Sequence, residues 1–323
     1  MSAPFVQVKN LKKYFETRKG PLHAVDDVTF DIQKGETLGL VGESGCGKST
    51  TGRAVIRLLE PSDGQVFIGG QDILRPSRRE VKALRSKMQM VFQDPYSSLN
   101  PRLCVADLIA EPLDVKKVGS SADRTKRVRE LSDIVGLSKS LENAYPHELD
   151  GGRRQRVGIA RALALNPEFI VLDEPVSALD VCIQAQVLNL LDTLQKEMGL
   201  TYLFISHDLS VVHHVSDRIA VMYLGRIVEM ADYKTIFTNP LHAYTKALLS
   251  AITVPIPNLN PKRIILEGDV PSPINPPEGC RFAGRCYFDK IGACTSETPK
   301  LVEVASGHFV ACHVVERELA SLV

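Results

Sequence analysis

A buried strand, a glycine-rich loop and a helix in direct succession constrain this chain more than any other feature. Glu36 to Val41 (ETLGLV) is a short apolar run, and Lys48 to Leu59 has helical periodicity up to Pro61. Between them, residues 42–50 (GESGCGKST) match the pattern G-x-x-x-x-G-K-[ST]. Strand, loop and helix in this order open a βα unit whose loop can surround phosphate. A glycine-rich turn that matches by chance is disfavoured because both flanking elements are present.

Each part of the loop has a predicted task. The glycines let backbone N–H groups turn toward phosphates, the Lys48 ammonium reaches the β- and γ-oxygens, and the Ser49 hydroxyl can bind Mg²⁺. The predicted nucleotide-binding residues are Gly42, Glu43, Ser44, Gly45, Cys46, Gly47, Lys48, Ser49 and Thr50.

A second apolar strand ends in two carboxylates. Phe169 to Leu172 runs into Asp173 and Glu174, about 125 residues after Lys48. Asp173 can hold Mg²⁺ through water, and Glu174 can orient or deprotonate an attacking water. Alone, this pattern would equally fit a solvated acidic turn, but its pairing with the phosphate loop indicates the metal half of a nucleotide site.

Composition excludes several classes of protein. The 323 residues carry 39 Lys and Arg against 38 Asp and Glu, so no global charge points to nucleic acid or an anionic membrane. The apolar runs are too short to span a bilayer, and the amino-terminal segment has no apolar core of a signal peptide. The basic residues between Lys116 and Arg129 are interspersed with acidic ones, which favours a solvated helix face.

Four further stretches carry a family resemblance. They are Val91–Pro95 (VFQDP), Leu149–Arg153 (LDGGR), Ser177–Asp180 (SALD) and Ser206–Asp208 (SHD). Together with the two motifs above, and in this order, they resemble the nucleotide-binding subunit of an ABC transporter over about residues 5 to 240.

The resemblance implies roles for matching residues. Glu174, His207 and Gln93 would be catalytic, and Ser49, Gln93 and Asp173 would bind Mg²⁺. Phe15, or its neighbour Tyr14, would stack on adenine, and Ser177 and Asp180 would belong to a loop at a dimer interface. In such a dimer each ATP lies between one chain's phosphate loop and the partner's signature segment, here Asp150, Gly151, Gly152 and Arg153.

The signature segment departs from the family pattern, Leu-Ser-Gly-Gly-Gln, at two positions. Asp150 replaces a hydroxyl donor by a carboxylate, and like-charge repulsion from a γ-phosphate could cost on the order of several kcal/mol at a partly buried site. Arg153 or Arg154 could pair with Asp150 and reduce that cost. We therefore expect a heterodimer with one competent and one impaired ATP site, with a tolerated variation as the alternative.

The carboxyl-terminal part resembles the tail of ATP-binding subunits from dipeptide and oligopeptide importers, of the second, or F, type. The resemblance lies in His242–Leu249, in residues 271–280 and in four cysteines. Spacing alone allows these thiolates to hold Zn²⁺ or a [4Fe–4S] cluster, and the resemblance favours the cluster over zinc and over cysteines without a ligand. The predicted ligands are Cys280, Cys286, Cys294 and Cys312.

These inferences predict an α/β fold: a P-loop NTPase core of the RecA-like type, an antiparallel β subdomain, an α-helical subdomain and a small cysteine-rich extension. The expected division is 1–94 and 159–240 for the core, 95–158 for the helical subdomain and 241–323 for the extension.

The resemblance implies an ATP hydrolase coupled to dipeptide or oligopeptide import. Its partners would be a paralogous ATPase subunit, two membrane permeases and, indirectly, a periplasmic or extracellular solute-binding protein, and it would lie peripherally on the cytoplasmic face of the inner membrane. An importer ATPase for another solute such as nickel, or a soluble ABC ATPase of cluster assembly, is the alternative.

Overall fold

The computed structural model describes residues 3–76, 78–252 and 263–321. They fall into two units. The first unit comprises residues 1–32, 37–74 and 206–323, and the second comprises residues 33–36 and 75–205. The four-part domain division expected from the sequence stays a prediction.

An antiparallel sheet begins the first unit, in the strand order β2-β1-β4-β5. Along β1 the side chains of Val6 and Val8 are fully buried while Gln7 between them is half-buried, which is the alternation of a half-buried sheet. The strands are β1 (Val6–Thr17), β2 (Gly20–Ile32), β4 (Asp63–Ile68) and β5 (Gln71–Asp72).

A second sheet of the first unit places the phosphate loop. Strand β3 (Thr37–Val41) is buried at every residue and pairs in parallel with β9 (Arg218–Tyr223). Strand β10 (Arg226–Asp232) pairs antiparallel with β9, and a carboxyl-terminal hairpin of β12 (His308–Val310) and β11 (Val302–Ala305) follows it at the edge.

Helices of the first unit flank this sheet and form the carboxyl-terminal part. They are α1 (Lys48–Val55), α8 (Leu209–Val215), α9 (Tyr233–Thr238), α10 (Ala243–Ser250), α11 (Ala293–Ser296) and α12 (His313–Ala320).

Helix α1 is shorter than the sequence predicted. It ends at Val55 rather than near Leu59, because the backbone at Arg57 enters the left-handed region (φ 54°), which no continuing helix permits. The Arg57 guanidinium then pairs with both Glu60 carboxylate oxygens, at 3.1 and 3.2 Å, and fixes the turn before Pro61.

Three parallel strands form the sheet of the second unit, in the order β6-β7-β8. They are β6 (Met88–Val91), β7 (Phe169–Asp173) and β8 (Thr201–Ser206). Every residue of β7 and β8 is buried, as expected for apolar strands covered on both faces, and the strand predicted at Phe169 to Leu172 is confirmed as β7.

Between β6 and β7 the second unit is helical, as predicted. Helix α5 begins at Ser120, whose hydroxyl caps the Asp123 N–H in a reciprocal capping box, and its basic residues pair with acidic neighbours such as Glu130. The helices of this unit are α2 (Arg78–Lys87) before β6; α3 (Pro95–Ser98), α4 (Val105–Lys116), α5 (Ser121–Ile134) and α6 (Gly151–Leu163) between β6 and β7; and α7 (Val181–Met198) after β7. No helix in the described ranges is long and apolar enough to cross a membrane.

The carboxyl-terminal part has a small apolar core of its own. Cys294, Val310, Cys312, Val314 and Val315 are buried together. The β11–β12 hairpin and α12, which supply most of this core, were not predicted from the sequence. Seven prolines fall between Pro255 and Pro277. Residues 253–262 lie outside the described residues, and residues 263–277 contain no helix.

Candidate nucleotide-binding site

The loop between β3 and α1 has the backbone that its glycines permit. Gly42 and Gly47 have φ of 153° and 109°, and a Cβ on either would lie 2.1 Å from a carbonyl oxygen, that of Met222 or Ala24. Only glycine therefore fits these two places. Gly47 caps α1 without a side chain, so no capping group competes with an anion for the first-turn amides.

Lys48 lies inside this loop. Its side chain is 4% exposed, and its Nζ donates hydrogen bonds to the carbonyls of Gly42 (2.8 Å) and Glu43 (3.0 Å). The ammonium is thus fixed at the centre of the loop, as a phosphate ligand has to be. The neighbouring Cys46 thiol is buried, and burial raises its pKa, so it is a packing group rather than a thiolate.

The two candidate aromatics differ in their surroundings. The Tyr14 ring packs on His23 with centroids 4.1 Å apart, and its hydroxyl donates to Asp26 Oδ1 at 2.5 Å. Burial and this hydrogen bond raise the pKa of Tyr14. Phe15 is 37% exposed, with the Lys13 ammonium 4.9 Å from its ring centroid. Of the two, Phe15 is the ring that offers an open face.

Asp26 links Tyr14 to two arginines, a network that no local pattern in the sequence predicts. Arg226 Nη2 lies 3.0 Å from Asp26 Oδ2, and Arg281 Nη2 also contacts that oxygen. Burial alone would raise the pKa of Asp26, but the Tyr14 hydroxyl and both guanidinium groups outweigh it and lower the pKa to about 2.

In the second unit, the predicted catalytic residues lie side by side at the carboxyl ends of β6 and β7. Val91 of β6 pairs with Leu172 of β7, which places Gln93 beside Glu174. Gln93 Nε2 donates to Glu174 Oε2 at 2.9 Å, and Asp173 is completely buried. The structure thus brings together the two residues that the resemblance singled out after these strands.

Glu174 has an unusual backbone. Its φ is 46°, in the left-handed region, and its N–H donates to the carbonyl of Ile205 at 2.9 Å. A residue with a Cβ costs of order 1 kcal/mol or more in this conformation, and it persists only where its surroundings hold it. The conformation directs the carboxylate of Glu174 toward Gln93.

His207 follows β8 and lies within the first unit. Its side chain is exposed, and Asp208 after it caps α8 by accepting the Ser210 N–H at 2.8 Å. The position at a strand end is the predicted one, whereas contact with a γ-phosphate stays a prediction.

The signature segment begins α6. Asp150 caps this helix: its Oδ1 accepts the Arg153 N–H at 2.8 Å, and its Oδ2 lies 3.3 Å from Arg153 Nε. Arg153, rather than Arg154, is thus the partner of Asp150, because Arg154 Nε donates to the Pro146 carbonyl. Both side chains of the pair are more than half exposed.

Close packing explains the two glycines that follow. A Cβ on Gly151 would lie 3.0 Å from Leu179 Cδ2, and one on Gly152 would lie 2.6 Å from Ile183 Cγ2. Leu179 belongs to the predicted dimer loop, in which the Ser177 hydroxyl donates to the Glu174 carbonyl at 3.1 Å. Asp180 is exposed and ends this loop at the start of α7.

Four cysteines of the carboxyl-terminal part line one cavity of about 20 Å³: Cys280, Cys286, Cys294 and Cys312. Burial raises the pKa of Cys280 to about 11 and also raises that of Cys286 and Cys312, so these are thiols at neutral pH. A cavity of this size holds about one water molecule, far less than an iron–sulfur cluster. Among the described residues, no three or more cysteine, histidine or acidic side chains are grouped so that they could hold a metal ion. The predicted four-thiolate centre therefore has no support in the structure.

The residues of the phosphate loop also contact the carboxyl-terminal part. Arg285 forms an ion pair with Glu43, and the Tyr244 hydroxyl accepts the Glu43 N–H. Sequence reasoning missed both contacts, because 242 and 201 residues separate the partners and no local pattern marks them.

Comparisons with known proteins agree with this geometry. The family model described as ABC transporter matches residues 25–177, and that described as oligopeptide/dipeptide transporter, C-terminal region, matches residues 228–294.

Relatives match along almost the whole chain. A putative oligopeptide transport ATP-binding protein, YkfD of Bacillus subtilis, is 53% identical over 315 residues, which are 96% of this chain and 95% of the relative. The oligopeptide transport ATP-binding protein OppF of the same organism is 53% identical over 318 residues, 98% of each chain.

Solved structures match the cassette part. The ATP-binding cassette MJ0796, solved as a dimer with ADP and Pi, is 32% identical with a TM-score of 0.65, and the match covers 71% of this chain and 98% of that one. The protein cbiO1 of Clostridium perfringens, part of an ABC transporter complex, is 28% identical with a TM-score of 0.66, over 74% and 92% of the two chains.

Proposed function

Because this chain belongs to the ATP-binding proteins of oligopeptide ABC transporters, we propose that it hydrolyses ATP to power the import of short peptides. It is an ATP hydrolase of the ABC type. The observation that carries the proposal is the phosphate loop closed around Lys48, in a chain whose carboxyl-terminal region also matches the peptide-transporter family.

In this proposal residues 42–50 bind the phosphates of ATP and Phe15 stacks on the adenine. The exposed Phe15 ring supports its role over that of Tyr14, whose hydroxyl is held by Asp26. Ser49, Gln93 and Asp173 hold Mg²⁺, which when bound neutralises charge on the β- and γ-phosphates.

Glu174 orients the attacking water and accepts its proton, and His207 contacts the γ-phosphate. The hydrogen bond from Gln93 to Glu174 supports this assignment, because it holds the carboxylate in one position.

The chain works with a paralogous ATPase subunit and two membrane permeases, at the cytoplasmic face of the membrane, and the permeases receive peptide from a solute-binding protein. ATP drives this machine only if it binds the closed dimer more tightly than the open one. Closure moves the permease helices through the surface beside Gln93 and residues 94–100, and the exposed Gln93 and Tyr96 side chains support that position.

The composite site that uses this chain's signature segment is the impaired one. The Asp150 carboxylate caps α6 where a phosphate would approach, which supports a weakened contact with the partner's ATP. The site on this chain's own phosphate loop would be completed by the partner's signature segment and would remain competent.

The four-cysteine cavity binds a [4Fe–4S] cluster in this proposal, with Zn²⁺ as the alternative. Its support is the family resemblance, and the cavity that the four cysteines line would have to open to admit either group. Anaerobically purified protein should be brown and absorb near 400 nm. A colourless preparation with one zinc ion per chain would show that the four cysteines bind zinc and not a cluster.

The names of the relatives favour peptides over nickel as cargo, and they favour a transporter over a soluble ABC ATPase of cluster assembly. Co-purification from native membranes tests this choice. A tagged chain should bring down two permeases and a second ATPase subunit, whereas capture of soluble cluster-assembly proteins without permeases would overturn the proposal.

The Glu174→Gln substitution tests the enzymatic part. It removes the base but keeps the side chain's size, so MgATP should still bind while turnover falls by a factor of a hundred or more. Lys48→Ala is the matched control, since it should abolish binding itself. Turnover by the Glu174→Gln protein at the wild-type rate would refute the role of Glu174.

A further inference from the structure

The phosphate-loop residue Glu43 is held by two elements of the carboxyl-terminal part. Arg285 Nη1 lies 2.9 Å from Glu43 Oε2 and Nη2 lies 3.2 Å from Oε1, a two-pronged pairing with fixed geometry. The Tyr244 hydroxyl accepts the Glu43 N–H at 2.8 Å. Side chain and backbone of one loop residue are therefore both fixed from outside the loop.

These two contacts are made by rigid groups. Tyr244 on α10 is completely buried and packs with Tyr223 and Phe282, whose ring centroids lie 4.8 and 5.4 Å from its own. The Arg285 guanidinium lies 6.0 Å from the Tyr223 ring centroid. The backbone N–H of Arg285 donates to the backbone carbonyl of Phe282. The aromatic cluster thus holds both partners of Glu43 in place before any ligand arrives.

The charge of Glu43 gives the pairing its importance. A carboxylate within a loop that binds phosphates repels them, and the repulsion is stronger where water is partly excluded. The Glu43 side chain is 30% exposed and that of Arg285 only 11%. The hydrogen bonds to Glu43 raise the pKa of Arg285, so the guanidinium stays charged and the pair is neutral as a whole.

We propose that Arg285 is a positioning residue of the phosphate loop, which neutralises Glu43 and, with Tyr244, fixes the loop so that the carboxyl-terminal part sets the affinity for MgATP. The proposal rests on the nucleotide site proposed at residues 42–50. It gives the region that follows the cassette a direct part in nucleotide binding.

Calorimetric titration with MgATP tests this in the full-length chain carrying Glu174→Gln, so that hydrolysis does not interfere. Arg285→Ala should weaken binding about tenfold, because it leaves the Glu43 carboxylate unpaired beside the phosphates. Arg285→Lys, which keeps the charge but loses the two-pronged pairing, should give an intermediate loss. Adding Glu43→Gln to Arg285→Ala should restore most of the affinity.

Arg57→Ala is the matched control, because Arg57 also pairs with both oxygens of a glutamate, Glu60, after α1. It should leave the MgATP affinity within twofold of wild type. Unchanged affinity in Arg285→Ala, with only a lower melting temperature, would overturn the proposal and leave a structural ion pair. If Lys48→Ala binds MgATP as well as wild type, the nucleotide site proposed at residues 42–50 is wrong. If Lys48→Ala fails to bind MgATP while Arg285→Ala binds it normally, the nucleotide site stands and only the role proposed for Arg285 is wrong.

Discussion

Asp150 stands at the amino-terminal end of α6, where an anion-binding helix would meet a phosphate, and its own carboxylate caps the helix there. An N-cap aspartate stabilises a helix by about 1 kcal/mol, and Arg153 compensates part of its charge. An aspartate in place of the family's serine is unfavourable for phosphate binding, but it stabilises the start of α6. A serine would cap α6 equally well but would also offer a hydroxyl donor.

Restoring the pattern of the family at this point should therefore change function and spare stability. In the assembled transporter, Asp150→Ser with Arg153→Gln should raise the number of ATP molecules hydrolysed per dimer in a single turnover from one toward two. Asp150→Ala is the control: it should lower the free energy of unfolding by about 1 kcal/mol and add no active site. An unchanged single-turnover stoichiometry in the double variant would end the hypothesis of an impaired site.

At the scale of elements, the contact of α6 with α7 depends on the absence of a side chain at Gly152. A Cβ there would lie 2.6 Å from Ile183 Cγ2, closer than atoms can approach, whereas a Cβ on Gly158 of the same helix would meet no atom within 4 Å. Gly152→Ala should lower the free energy of unfolding by about 1–3 kcal/mol. Gly158→Ala should be neutral or stabilise by up to about 1 kcal/mol, since alanine favours helix. Equal effects of the two substitutions in urea unfolding would contradict this packing.

The cap of α10 makes the carboxyl-terminal part sensitive to acid. His242 Nδ1 accepts the Tyr244 N–H at 3.1 Å, and burial lowers the pKa of His242 to about 4 despite the nearby Glu229. Because the unfolded chain binds this proton near pH 6.5 and the folded chain only near pH 4, stability should fall as pH drops through that window, by on the order of 3 kcal/mol.

His242→Asn tests this, because asparagine caps the helix without titrating. Its melting temperature should depend less on pH between 6.5 and 4 than that of wild type. If the melting temperatures of the two proteins depend on pH in the same way, the acid sensitivity belongs to other groups.

Local patterns predicted the elements that depend on local sequence. Buried strands such as β7 and β8 are short apolar runs, and the loop between β3 and α1 has glycines at fixed positions. Strands and loop can therefore be recognised from the sequence without a structure. The left-handed Arg57 that ends α1 has no such signal. The pairing of Arg285 with Glu43 has no local signal either, because the two residues are 242 positions apart in the sequence and meet only in the folded chain. The four predicted cysteine ligands line one cavity, but spacing could not reveal how small that cavity is, nor that burial raises the pKa of Cys280.

At the scale of the whole molecule, the predicted nucleotide residues are distributed over both units. The phosphate loop and His207 belong to the first unit, and Gln93, Asp173 and Glu174 belong to the second. A chain built in this way can couple chemistry to movement if ATP favours one arrangement of the assembled complex over another. In the proposed assembly a dimer with a paralogous subunit supplies that complex, and permeases would convert its closure into transport.

Peptide uptake by cells that lack this chain tests whether its ATP hydrolysis powers import. Complementation with wild type should restore accumulation of a labelled dipeptide or oligopeptide against its gradient. The Glu174→Gln protein, present in the membrane fraction in equal amount, should not restore it. Uptake at the wild-type rate with Glu174→Gln, or no dependence of uptake on the wild-type chain, would contradict the account.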